Sequence, residues 1–250
     1  MERVKFAGNV LGRGLSKAML DAGEADDFVS PNGIASRFLG RVTFDDARKV
    51  QEEFVQKRRM GEVSDLFLFC EHPPTLSFGK RSRTEDQAQV QNRDAFQAIV
   101  FCDRGGKATY HGPGQLVIYP VICLTTRRLG VRLFTQLGLG AIADVLSSFG
   151  IESTPLLDPA GVWVERRDAT QAKIASVGLR ITGGVTNHGF SLNVAGDLSP
   201  FSWFRPCGHT GLQVTSIEQE QASAPPLDVV AEAVLRSFER YLEPNFLVSQ

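Results

Sequence analysis

The sequence predicts an α/β fold, with a mixed, partly antiparallel sheet flanked by helices. Three observations predict it. Segments with helical apolar spacing are interleaved with short apolar runs bounded by Gly and Pro. Residues 161–194 hold three strand-like segments in succession with glycine turns between them, the pattern of a meander and not of a strict βαβ array. The chain has 250 residues, 42 % hydrophobic and 22 % charged, which suits one large soluble domain.

Residues 1–36 are mixed in character, end in the turn signal Ser30-Pro31-Asn32-Gly33, and are expected to form an N-terminal extension to a domain spanning 37–250. From Thr43 a helix is predicted, because Ala47, Val50, Phe54 and Val55 recur at helical spacing and Thr43 with Asp46 offers a capping box. Residues 65–72 read as a buried strand stopped by Pro73 and Pro74, and 95–102 as a second. Residues 116–124 read as a third, in which Pro120 argues for a bulge or an edge position. Residues 131–150 form an amphipathic pattern closed by Gly150. The meander follows, and Asp228 to Leu242 closes the domain as a helix with Val230, Val234, Phe238 and Leu242 on one stripe.

Composition excludes several functions. A net charge of −1 gives no broad basic surface for nucleic acid. No run of about 18 apolar residues spans a membrane, and the N-terminus lacks the apolar core of a secretory signal. There is no phosphate-binding GxxxxGK[ST] and no GxGxxG after a strand. Cys70, Cys102 and Cys123 each end or interrupt an apolar run and read as small buried thiols. None of the four cysteines forms a CxxC pair, so neither a zinc ribbon nor a disulfide framework is expected. His72, His111, His188 and His209 show no HxH or HxxxH spacing, so no metal site is expected.

Two constellations carry chemistry. Residues 104–115, RGGKATYHGPGQ, hold four glycines in twelve residues, which lets backbone approach a ligand closely. The alternative is a long hairpin turn whose polar groups satisfy one another. The second constellation pairs Lys173, at the start of an apolar strand, with Cys207, in Arg205-Pro206-Cys207-Gly208. Each alone is ordinary: an edge lysine whose stem packs, and a loop thiol. Together they make a nucleophile and its acid/base partner, since a thiol is mostly protonated at neutral pH and a neighbouring amine can take its proton. Backbone N–H groups near Gly208 or in 104–115 would hold the developing oxyanion. His111 and His188 are rival bases, and sequence spacing does not choose among the three.

Five stretches in order resemble the lipoyl(octanoyl) transferase family, a branch of the biotin/lipoate protein ligase fold: 68–79, RGGKATYHGPGQL (104–116), GVWV (161–164), KIASVGLRI with VTNHGFSLNV (173–181 and 185–194), and FRPCG (204–208). The resemblance covers roughly residues 40–220. It implies a two-step acyl transfer without ATP or another cofactor, the first step of endogenous protein lipoylation. An octanoyl group leaves acyl carrier protein for Cys207 and then passes to a lysine of a lipoyl domain, in dehydrogenase complexes or the glycine cleavage H protein. Lys173 would be the acid/base partner. Substrate would be bound by Arg104, Gly105, Gly106, Lys107, Ala108, Thr109, Tyr110, His111, Gly112 and Gly114. The opposite wall would be Ser176, Val177, Gly178, His188, Gly189 and Phe190, while Asn193 would orient backbone. The family reading also implies a cytoplasmic monomer that binds neither nucleic acid nor membrane.

The chain departs from the family pattern at Thr182, Gly183 and Gly184, at Arg205 and at His209. The nearest rival is an ATP-dependent lipoate- or biotin-protein ligase of the same fold, which needs no nucleophilic thiol. An amidotransferase that moves lipoyl groups between proteins, and a non-catalytic binder of lipoyl domains, are further alternatives. An acidic carrier would dock on basic residues, for which Lys80, Arg81 and Arg83, or Arg127 and Arg128, are the candidates.

Overall fold

The computed structural model describes residues 28–29, 34–166, 169–206 and 211–243. Eleven strands form two sheets among the described residues. They are β1 (Phe28–Val29), β2 (Ala35–Arg41), β3 (Leu66–Glu71), β4 (Thr75–Phe78), β5 (Ala98–Phe101), β6 (Ala108–His111), β7 (Gln115–Val121), β8 (Thr154–Leu157), β9 (Ala160–Glu165), β10 (Gln171–Thr182) and β11 (Val185–Asn193). The larger sheet runs β1-β2-β3-β7-β11-β10-β9-β8 and is antiparallel except at β2–β3; the smaller runs β5-β4-β6, with β4–β5 parallel. The helices are α1 (Phe44–Met60), α2 (Thr84–Ala88), α3 (Val131–Ser148), α4 (Ile217–Gln221) and α5 (Leu227–Tyr241).

Period-two alternation divides the large sheet between two cores. Phe67 and Phe69 of β3, with Leu116 and Ile118 of β7, face α3 and α5 and meet Phe134, Ile142, Val234 and Phe238. Leu66, Leu68 and Cys70, with Val117, Tyr119 and Val121, face α1 and meet Ala47, Val50 and Val55. A third, smaller core joins Leu76, Phe78, Phe96, Tyr110, Phe201 and Phe204 beneath the small sheet. Among the described residues no helix is long and apolar enough to cross a membrane.

The local signals behind α1 operate as expected. Thr43 Oγ1 accepts the N–H of Asp46 at 3.2 Å and donates to its carboxylate, and Gly61, at φ +77°, closes the helix. The α1 C-terminus is tied to the sheet through Asp65, whose carboxylate takes Arg58 Nε at 2.7 Å, Arg127 Nε at 2.5 Å and the N–H of Cys123 at 2.9 Å. The meander forms with Gly183 and Gly184, both at positive φ, at the β10–β11 turn. The closing helix buries Val230, Val234 and Phe238.

The structure differs from expectation in several places. Pro120 lies in a central strand, not at an edge: β7 pairs with β3 on one side and β11 on the other. The irregularity that admits the proline is in the partner. Thr186 Oγ1 donates to Pro120 O and accepts from Ile122 N, and Gly189 leaves the room for the ring, since a Cβ there would stand 2.6 Å from Pro120 Cδ. The strand read at 95–102 narrows to β5, because Arg93–Ala95 wind into a 3-10 turn. Residues 108–111, read within a loop, form β6, since pairing with β4 imposes the strand on residues with little apolar pattern. Strands β1, β2, β4 and β8 and helices α2 and α4 have no counterpart in the sequence expectations. Cys70 is fully buried, but Cys102 and Cys123 sit just past strand ends and are partly exposed.

Candidate active site

A cleft opens where β10 and β11 of the large sheet meet the Arg104–Lys107 turn, β6 and the start of α1. Arg104 is the turn's anchor. Buried, it donates from Nη2 to Ser77 O at 2.7 Å and to Ser77 Oγ at 2.9 Å, and from Nη1 to Gly105 O at 2.9 Å. Gly105 N–H then donates to Leu179 O of β10 at 3.1 Å. Backbones approach so closely there that a Cβ on Gly178 would stand 3.0 Å from Gly105 O. The glycine-rich stretch therefore builds one wall and β10 the other.

Twelve of the expected substrate-binding residues line this cleft: Arg104, Gly106, Lys107, Ala108, Thr109, His111, Ser176, Val177, Gly178, His188, Gly189 and Phe190. Tyr110 does not, because alternation along β6 turns it into the small core, edge-to-face with Phe96 and Phe201. Gly112 lies beneath the Tyr110 ring, where a Cβ would be 2.1 Å from the hydroxyl, and Gly114 packs on Ala195. Gly105 acts through its backbone bond to β10. Phe44, Val117, Tyr119 and Ser191 complete the lining, and the sequence reading had none of them. Phe44 carried a usable signal, as the first residue after the α1 cap.

Lys173 occupies β10 three residues before Ser176 and does not line the cleft itself. Its side chain is buried, 3 % exposed, across β9. It crosses Gly161, where a Cβ would lie 2.2 Å from Cε, and its Nζ sits 5.1 Å from the ring centroid of Trp163. Gly161 and Trp163 share one face of β9, so the missing side chain of one makes the channel and the ring of the other makes its wall. The Lys173 backbone is bonded on both sides to the chain that follows residues 207–210: its N–H donates to Gln213 O at 2.9 Å, and its C=O accepts from Thr215 N–H at 3.0 Å. Asn193 secures that segment, donating from Nδ2 to Thr215 O at 2.9 Å while its Oδ1 accepts from Gln115. Asn193 thus holds backbone, as expected of it. Cys207 lies outside the described residues, as do Gly208 and His209.

Three histidines surround the cleft and burial governs all of them. His111 lines it, and burial first, then repulsion from His72, lowers its pKa to about 3. His188 is lowered to about 4 by burial and then by Arg104 and Arg180. His72, behind the wall, is lowered to about 4 by burial. Neutral imidazoles are polar walls compatible with an apolar chain. His72 Nδ1 lies 2.8 Å from Val42 O, which makes it the protonated nitrogen, so Nε2 accepts from the Tyr119 hydroxyl at 2.8 Å. Gln51 of α1 reaches the same wall, its Oε1 accepting the N–H of His188 at 3.0 Å.

The family model described as the lipoyl protein ligase A/B catalytic domain matches residues 45–239. An octanoyltransferase of Laribacter hongkongensis is 39 % identical over 82 % of this chain and 94 % of its own length. One of Myxococcus xanthus is 37 % identical over 83 % of this chain, which spans only 59 % of that relative. A solved bi-partite lipoate protein ligase of Thermoplasma acidophilum, studied with its E2 lipoyl domain, superposes with a TM-score of 0.54 over 78 % of this chain and 79 % of that one. At 16 % identity that likeness carries the fold alone.

Proposed function

The chain belongs to the lipoyl protein ligase A/B catalytic-domain family, and from that membership we propose that it transfers an octanoyl group through a Cys207 thioester with Lys173 as proton carrier. It is an acyltransferase. The donor is octanoyl-acyl carrier protein, the acceptors are lysines of lipoyl domains, and the setting is the cytoplasm. The observation that carries the reading is the placement of Lys173. Its amine is buried in a channel made by Gly161 and Trp163, and its backbone is bonded to the segment that follows Cys207.

The steps balance without ATP. Cys207 Sγ attacks the thioester carbonyl of the donor while its proton moves to the Lys173 amine. The carrier thiol leaves with that proton. The acceptor lysine then attacks the Cys207 thioester, its proton passes through Lys173, and the Cys207 thiol is regenerated. A thioester is exchanged for a thioester and then for an amide, which runs downhill. The octanoyl chain lies in the cleft between the Arg104–Lys107 turn and Gly178, against the neutral rings of His111 and His188.

The test is intact mass after incubation with octanoyl-acyl carrier protein in the absence of ATP. A hydroxylamine-labile octanoyl adduct, absent from Cys207→Ser, supports the reading. No adduct, with lipoylation of an acceptor domain only once ATP and free lipoate are added, hands the chain to the ligase reading.

A further inference from the structure

Asp103 precedes the Arg104 anchor and faces the opposite wall of the cleft. Its carboxylate lies between two side chains there: Oδ1 is 2.8 Å from His188 Nε2, and Oδ2 is paired with Nη1 of Arg180. Arg180 stands on β10 two residues beyond Gly178, and His188 on β11 is the cross-strand partner of Leu179. One carboxylate therefore ties the glycine-rich turn to both strands facing it. A backbone bond, Gly105 N–H to Leu179 O, joins the turn to β10 beside it.

We propose that Asp103 is a positioning residue, a latch that holds the Arg104–Lys107 wall and the His188 ring against the acyl chain and so sets affinity for the acyl donor. The inference rests on the octanoyl-transfer reading above. His188 needs such a partner. Its backbone is left-handed, φ +54°, which a residue with a Cβ rarely adopts. That conformation is held from behind, where Gln51 Oε1 and Asn187 Oδ1 both accept its N–H. Backbone bonds fix where the ring starts but not where it points. The bond to Asp103 fixes the ring and assigns its proton to Nε2, leaving Nδ1 as the acceptor of a neutral imidazole.

The carboxylate adds little to folding. Its side chain is 41 % exposed and that of Arg180 is 37 % exposed, so solvent screens the ion pair. Nor is it one of the groups, Lys173 and Cys207, to which the reaction assigns bond making and proton transfer. What remains for it is the width and shape of the cleft. Gly105 and Gly106 give the turn no side chains of their own to grip β10. Released at Asp103, the turn would keep its backbone bonds to the Gly79–Arg81 loop but lose its side-chain tie to β10 and β11.

The experiment uses the full chain, octanoyl-acyl carrier protein and three variants: Asp103→Ala, Asp103→Asn and Arg180→Gln. Asp103→Ala is expected to raise the donor KM about tenfold with kcat within about threefold, the signature of lost binding and not of lost chemistry. Asp103→Asn keeps an acceptor for His188 and should recover most of that loss; Arg180→Gln should show a smaller rise. Hydrogen exchange read on peptides covering 103–107 should quicken at Gly105 in Asp103→Ala, with α3 and α5 unchanged. A wild-type donor KM in Asp103→Ala, or a fall in kcat at constant KM, overturns the proposal. If the wild-type chain transfers no octanoyl group, the functional reading has failed, and exchange alone decides the latch: unchanged protection at Gly105 in Asp103→Ala refutes it.

Discussion

Gly161 and Lys173 face each other so closely across β9 and β10 that a Cβ on Gly161 would lie 2.2 Å from Lys173 Cε and 2.6 Å from Ala175 O. One hydrogen in place of a methyl is what gives the buried amine its channel. Gly161→Ala is therefore expected to expel the lysine from its place beside Trp163. Since the backbone at Gly161 has φ +152°, some stability goes too. Turnover should fall about a hundredfold or more, as for a misplaced acid/base group, while far-ultraviolet circular dichroism stays native. Normal turnover in Gly161→Ala would show that the amine need not lie there.

Replacing Lys173 by arginine separates charge from proton transfer. Arginine keeps a cation able to stack on Trp163, but it does not deprotonate in proteins. Lys173→Arg should lose transfer by about two orders of magnitude or more, as should Lys173→Ala. A Lys173→Arg chain with normal rate would move the base to His111 or His188.

The histidines make stability depend on acid. His72 and His188 are lowered to about 4 and His111 to about 3, all by burial first. In the unfolded chain each titrates near 6.5. Below that pH the unfolded state binds more protons than the fold, so stability is full above about pH 6.5 and is lost as pH falls toward 4. With three rings the slope reaches about 4 kcal/mol per pH unit at most, so by roughly pH 5 a substantial part of an ordinary domain's stability is lost. Denaturant midpoints at pH 7, 6 and 5 check this. A flat series would mean that these rings charge inside the fold.

Much of this was legible because it is local. The cap at Thr43, the stripe through Val230 and Phe238 and the Gly183-Gly184 turn are short-range signals, and each elements' neighbours confirm them. Glycines were the best pointers to the site, since Gly105, Gly161 and Gly178 each mark a place where a Cβ would strike backbone or side chain. Partners made by long-range folding were not legible. Gln51 meets His188 across 137 residues and Asp103 meets it across 85, and nothing in their own neighbourhoods sets them apart from solvated polar residues. Tyr110 was misplaced for a simpler reason: in a strand, being next to His111 puts a side chain on the opposite face.

The carrier should approach over the loop that follows β4. Gly79, Lys80 and Arg81 donate their N–H groups to Lys107 O, Arg104 O and Gly106 O, so this loop is stitched to the cleft wall and carries two exposed cations. Among the described residues neither side chain has a carboxylate partner, whereas Arg127, in the other basic cluster, is engaged by Asp65. An acidic carrier protein meeting Lys80 and Arg81 would gain encounter rate and orientation. The double variant Lys80→Glu, Arg81→Glu should raise the KM for octanoyl-acyl carrier protein about tenfold at low salt, with the gap closing near 0.5 M salt as screening shortens to about 4 Å. Octanoyl-pantetheine, which carries the thioester without the acidic protein, should react with the variant as with the parent chain. Equal KM values for the carrier-bound donor at low salt would move the docking surface elsewhere, and a matching loss with octanoyl-pantetheine would mean that the variant had damaged the cleft wall.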